Sequence, residues 1–217
     1  MNKLFTPLTA NVQLVGDVPS DVTAFLIHHG HPKTADHCAR VAAEAERLAL
    51  QFGEDGRSAQ TAGWLHDVSA VFPNRQRAHV ARQLGLEVLP EEAAAPMILH
   101  QKLSAVMARQ IFGVTDKAVL SAIACHSTLK ANALLLDKIV FIADKIAWDQ
   151  PHTAPFLEGV LAALEKGEKQ KQGSEQSLDQ AVLHYLDHLW QRRDTVPVVH
   201  PWFVAAYEQL SGPCTEK

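Results

Sequence analysis

Apolar residues recur at steps of three and four along most of this chain, and sustained alternation with a period of two is scarce. In 36–52 the positions Val41, Ala45, Leu48 and Phe52 fall on one face, the pattern of an amphipathic helix. The GEDG run after Phe52 ends it. A second helix is predicted over 57–66, aligned on Ala59, Ala62 and His66, with a stop near Pro73 and Asn74. Further helices are predicted over 75–84, 101–112, 116–126, 134–148, 155–166, 178–192 and 201–210, with one short extended piece at 11–15. The spacing predicts an all-α fold, a compact multi-helix bundle.

With 217 residues, 47% of them hydrophobic and 20% charged, the chain is the size of one soluble domain with a substantial core. Residues 1–20, which include Pro7 and Pro19, are expected to form an arm packed on the helices, and 21–212 a single domain. Within it the segment GEKQKQGSEQS, 167–177, has no apolar residue and reads as a surface loop between two helices. No run of about 18 apolar residues, secretory pattern or lipidation motif occurs, so a cytoplasmic protein with no membrane partner is expected. Cys38, Cys125 and Cys214 are too few and too scattered for a disulfide scaffold, which fits a reducing compartment. The net charge of -4 leaves no basic stripe for a nucleic-acid polymer, although a small nucleotide is compatible with it. Oligomeric state is not fixed, and a homodimer is left open.

Twelve histidines is a high count for this length, and histidine is a common metal ligand. In WLHDVSA, residues 64–70, His66 and Asp67 follow an apolar helical run. Neighbours on a helix point about 100° apart, so both reach one point only at a helix end. An HD dipeptide alone carries little weight, and further ligands are needed. A titratable side chain on an inward face is costly unless it is paired or bound to metal. His37 extends the face of Val41, Ala45 and Leu48; His126 ends DKAVLSAIACH; His100 stands at the start of the next-earlier helix. Asp144 has Val140, Phe141, Ala147 and Trp148 as helical neighbours, and Asp137 one heptad earlier is similarly set, so pattern alone does not choose between them. Mixed imidazole and carboxylate donors suit Fe, Mn, Zn or Mg. Cys38 and Cys125 each adjoin a candidate histidine, but adjacent helical residues point apart, and small buried core residues are the better reading.

The order H…HD…H…H…D, carried by HCARVA, GWLHDVSA, HQKLSAVMA, IACHST and LLLDKIVFIADKI, resembles the HD-domain metal-dependent phosphohydrolase superfamily. The nearest likeness is to the YqeK-like symmetrical diadenosine tetraphosphatases, and it extends over about 30–210, including HPWFVAAYE. The resemblance implies an HD-domain bundle with the metal site between helices. His37, His66, Asp67 and Asp144 would hold one divalent ion and His100 and His126 a second, with Asp67 bridging and also serving as the catalytic residue. Iron is the first expectation for the metal, ahead of manganese, cobalt, zinc or magnesium. The implied reaction is hydrolysis of a dinucleoside polyphosphate by metal-bound hydroxide. Lys130, Lys145 and Lys102, with Thr128, are the candidates to meet substrate phosphates. The chain departs from that group at Ala70, where a lysine is usual, at Leu129, where a glycine is usual, and over AWDQP, 147–151, where the group has a Glu-Pro-Gly-Arg-like segment. Those departures leave room for another nucleotide substrate, mono-, tri- or cyclic. A metal-stabilised helical binding module without turnover is the remaining alternative.

Overall fold

The computed structural model describes residues 2–147, 154–168 and 175–212. Among these the α-helices are α1 Thr6–Thr9, α2 Val18–His28, α3 Pro32–Phe52, α4 Gly56–Leu65, α5 Asn74–Gln83, α6 Pro90–Ala94, α7 His100–Gln110, α8 Lys117–Cys125, α9 Leu135–Ile146, α10 Leu157–Glu168, α11 Glu175–Gln191 and α12 Pro201–Ser211. Short 3-10 turns occupy Val68–Val71, Pro96–Leu99 and Arg193–Thr195. The fold is all-α, with no strand among the described residues. The extended piece expected at 11–15 pairs with no other strand, and the backbone N–H groups of Val15 and Gly16 donate to the Asp21 carboxylate at 2.7 and 2.9 Å.

Helix ends are set by local chemistry. Proline at the first turn starts α3, and Gly53, at φ 75°, takes the left-handed conformation that closes it. Asp55 and Asp116 cap α4 and α8 by accepting from backbone N–H groups of their first turns. The buried stripe of α3, Ala35, Cys38, Val41, Ala42, Ala45, Leu48, Ala49 and Phe52, packs against α4. A Cβ on Gly63 of α4 would lie 2.5 Å from the Ala42 Cα, so the two helices touch backbone to backbone. α9 is the central helix, with Leu136 through Ala143 all buried.

Three differences from the sequence-based expectation have physical causes. α2 begins at Val18, inside the stretch expected as an arm, because Pro19 sits in the first turn, where a missing N–H costs nothing, and Asp17 caps the start. Phe5, further back in that stretch, is fully buried. The short α6 carries too few turns for a periodic signal. α10 and α11 extend to Glu168 and from Glu175, so both ends of the expected 167–177 loop are helical, while 169–174 lies outside the described residues.

Candidate metal centre

Five helices deliver the six candidate ligands to one place. His37 is in α3, His66 directly follows α4, Asp67 comes next, His100 opens α7, His126 follows α8, and Asp144 lies near the end of α9. The chain leaves the helix between His66, at φ -59° and ψ -35°, and Asp67, at φ -114° and ψ 15°. That turn is how two adjacent residues face the same point. His37, His66 and Asp67 form one group of converging donor atoms, and Asp67, His100 and His126 form another, with Asp67 common to both.

Three of the imidazoles are oriented alike. Nδ1 of His66, His100 and His126 contacts the carbonyl of Gly63, Met97 and Ile123, each three residues earlier, at 2.7, 2.6 and 2.9 Å. A carbonyl only accepts, so each Nδ1 carries the proton and each Nε2 presents a lone pair. His66 Nε2 lies 3.3 Å from His37 Nε2, and His100 Nε2 lies 2.9 Å from His126 Nε2. Asp67 Oδ1 is 3.5 and 3.8 Å from the Nε2 atoms of His100 and His126, and Oδ2 is 3.7 Å from that of His66. The lone pairs of His66, His100 and His126 around a shared carboxylate are a donor set that fits cations.

The electrostatics agree. Burial alone would raise the Asp67 carboxyl, but His66, His100 and His126 outweigh it and bring it down to about 2. Burial pushes the pKa of His100 down, and burial with the neighbouring His100 and His66 pushes that of His126 well below the usual imidazole value, so both are neutral and able to ligate. Asp144 Oδ1 is 3.0 Å from His37 Nε2 and 3.7 Å from His66 Nε2. Burial opposes its charge, yet Lys145 and His37 hold its carboxyl well below the usual range.

The four substrate candidates occupy different settings. Lys145 Nζ lies 2.5 Å from Asp144 Oδ2 and 3.2 Å from the His126 carbonyl, at the edge of the centre. Thr128 is bonded to Gln101 and to the Leu129 carbonyl. Lys102 pairs with buried Glu92 at 2.8 Å and lies over the Trp202 ring. Lys130 pairs with Asp137 at 3.1 Å and also contacts Ser121. Asp137 additionally caps α9 through the Leu134 N–H at 2.9 Å. Asp137 is thus occupied as a cap, whereas Asp144 faces the histidines. Burial pushes the thiols of Cys38 and Cys125 up, as befits small core residues.

Sequence reasoning missed two positioning groups. Ser127 Oγ donates to His100 Nε2 at 2.8 Å, and its place directly after His126 was the available signal. Arg77 donates to the Met97 carbonyl at 2.9 Å, the same oxygen that orients His100, and no sequence pattern marked it. Of the positions that depart from the tetraphosphatase pattern, Leu129 is fully buried yet holds φ 56°, so it keeps a backbone conformation that favours glycine. Ala70 lies in the Val68–Val71 turn, and 148–151 of the last departing segment lies outside the described residues.

The HD domain description matches residues 34–149, more than half of the chain. The chain therefore belongs to the HD-domain family, and with it to the metal-dependent phosphohydrolases. It is 45% identical over 151 residues, 70% of this chain and 71% of the relative, to a Lactococcus lactis subsp. cremoris protein called "Uncharacterized protein in pepC 5'region". It is 28% identical over 112 residues to the symmetrical bis(5'-nucleosyl)-tetraphosphatase of Bacillus subtilis (strain 168), a match spanning 51% of this chain and 59% of that protein. A crystal structure from Clostridium acetobutylicum, described as a predicted HD superfamily hydrolase involved in NAD metabolism, superposes with TM-score 0.77 at 25% identity, covering 88% of this chain and 96% of that one.

Proposed function

We propose that the protein hydrolyses a phosphoanhydride bond of a nucleotide, with a dinucleoside polyphosphate such as diadenosine tetraphosphate as the first substrate to try. The observation that carries this reading is the pair of donor groups sharing Asp67, whose imidazole Nε2 atoms face one another at 3.3 and 2.9 Å. His37, His66, Asp67 and Asp144 would hold one divalent ion, and Asp67, His100 and His126 a second, with iron expected first and manganese, cobalt, zinc or magnesium able to substitute. Such ions supply Lewis acidity toward a phosphoryl oxygen and make a nearby water more acidic.

The chain's own residues prepare that chemistry. Carbonyl contacts to Nδ1 hold His66, His100 and His126 in the ligating tautomer. Asp67 stays ionised in its cluster of imidazoles. Lys145 holds the outer oxygen of Asp144 and adds positive charge where a phosphate would arrive. Within this reading Lys145 is the first candidate to meet a phosphate, because its partner Asp144 belongs to the centre, whereas Lys102 and Lys130 are drawn to Glu92 and Asp137 and Thr128 to Gln101 and the Leu129 carbonyl.

A second reading keeps the chemistry and changes the substrate to a nucleoside mono- or triphosphate or a cyclic nucleotide. Ala70 and Leu129 favour it, standing where the tetraphosphatase group has lysine and glycine. The test is product release from a nucleotide panel that includes diadenosine tetraphosphate, with Fe(II), Mn(II), Co(II) or Mg(II), for wild type and Asp67→Ala. Conversion to ADP that the variant loses supports the first reading, and cleavage of another nucleotide supports the second. A metal-loaded protein that turns over nothing in the panel would sink both.

A further inference from the structure

A cavity of about 290 Å³ adjoins the metal centre. Two segments far apart in sequence build it: Met97 and Ile98 of the Pro96–Leu99 turn, and Val198 and Val199 on the approach to α12, with Leu189 and Phe203 completing an almost wholly apolar lining. His100, Ser127 and Thr128 also line it. Because His100 shares its donor group with Asp67 and His126, the cavity and the centre have a common wall.

An apolar recess against a centre that would hold divalent ions and a phosphate calls for a ligand with two unlike ends. Among the described residues Arg193 is the one lining residue with a permanent charge, and its guanidinium lies over the Trp190 ring and donates to the Trp190 carbonyl at 2.8 Å. The recess is therefore poorly equipped for a polyphosphate chain. Its volume sits at the lower edge of the roughly 300–1,000 Å³ usual for small-molecule pockets, room for one nucleoside rather than two.

We infer that this cavity is a nucleoside subsite, holding the base and sugar of one nucleotide whose phosphate lies at Asp67 and His100. The inference rests on the phosphohydrolase reading and deepens it. The subsite discriminates weakly between bases, because its polar side chains are already engaged: Thr128 with Gln101 and Leu129, Ser127 with His100, and His200 with Glu92 and the Trp202 N–H. Apolar walls read shape and stacking rather than the hydrogen-bonding edge of a base.

The test uses Val198→Trp and Val199→Trp, each enlarging a half-buried lining residue, on the metal-loaded protein. The probes are diadenosine and diguanosine tetraphosphate, inorganic tripolyphosphate, and adenosine followed by saturation-transfer NMR. Wild type is expected to show KM values for the two dinucleotides within about tenfold of each other. At least one variant raises both by more than about tenfold and abolishes the adenosine signal, with tripolyphosphate cleavage within about twofold of wild type. Unchanged KM values and adenosine binding in both variants would overturn the subsite, as would equal losses on nucleotide and tripolyphosphate in both. Wild type that cleaves tripolyphosphate and no nucleotide keeps the phosphohydrolase and removes the subsite. Adenosine binding that the variants abolish, in a protein that cleaves neither, keeps the subsite and removes the hydrolase reading.

Discussion

The half of the centre built by α3, α4 and α9 is held by charge and backbone contact, whereas the half built by α7 and α8 rests on neutral hydrogen bonds beside a cavity. On the first side Asp144 adds a second carboxylate, clamped by Lys145, and the Gly63–Ala42 contact sets His66 against His37. On the second side His100 and His126 share only Asp67, and Ser127 and Arg77 adjust His100 through a hydroxyl and a carbonyl. The two sides would therefore not bind alike: two carboxylates would favour a tightly held ion on the first, and one carboxylate an exchangeable ion beside the proposed subsite on the second.

The largest expected effect comes from breaking both sides at once. Asp67→Ala removes the shared carboxylate, so bound metal falls toward zero after dialysis and activity drops by more than about a hundredfold, beyond what outer-shell losses cost. Elemental analysis beside the activity assay checks it, and a variant that retains two ions would show that the sides do not share Asp67. Next, His37→Ala and His100→Ala separate the sides. The first is expected to lose the tight ion, while the second keeps close to one ion per chain and loses activity. Equal metal contents would erase the asymmetry.

Smaller is the effect of Lys145→Met, which removes the cation on the outer oxygen of Asp144. Metal affinity should weaken by about 10–100-fold, the range for groups that orient ligands. Titration with a competing chelator reads this directly, and partial rescue by Lys145→Arg separates orientation by charge from mere packing. Gly63→Ala comes after it: a methyl cannot enter a 2.5 Å gap to the Ala42 Cα without parting the helices. A loss of about 1–3 kcal/mol is expected from overpacking, seen as a lower melting temperature. Unchanged stability would mean that α3 and α4 separate freely and that the contact does not set the His37–His66 spacing.

How much of this could be read from the sequence depended on contrast. α3 was legible because an apolar stripe alternates with charge around its circumference, and the histidine-aspartate order showed through helices spaced along the chain. α2 was hidden because Pro19 reads as a breaker until its place in the first turn is known. Asp137 and Asp144 share one pattern, and only packing distinguishes the carboxylate that caps α9 from the one that meets His37. Lys102 and Lys130 were near the motifs in sequence, but their partners come from α6 and α9. The cavity was invisible for the same reason, since residues about 100 positions apart build its walls.

The smallest effect is that of pH on the metal-free protein, and it probes the α7–α8 side together with His188 of α11, which burial and Arg192 also depress. Burial, with the neighbouring His100 and His66, depresses His126 well below the usual 6.5, and burial lowers His100 as well. Below 6.5 the unfolded chain binds protons that these two histidines refuse in the folded state, so stability falls as pH drops through that window. The Asp67 carboxyl, at about 2 against an ordinary 3.8, adds its own loss only as pH falls from that ordinary value toward 2. Thermal melts of the metal-free protein from about pH 7.5 to 5 are therefore governed by the imidazoles. His126→Leu, which cannot take a proton, should flatten the slope on the acid side. A flat wild-type profile, or a variant as steep as wild type, would mean that the second half does not keep its imidazoles neutral, and the contrast between the two sides would lose its electrostatic basis.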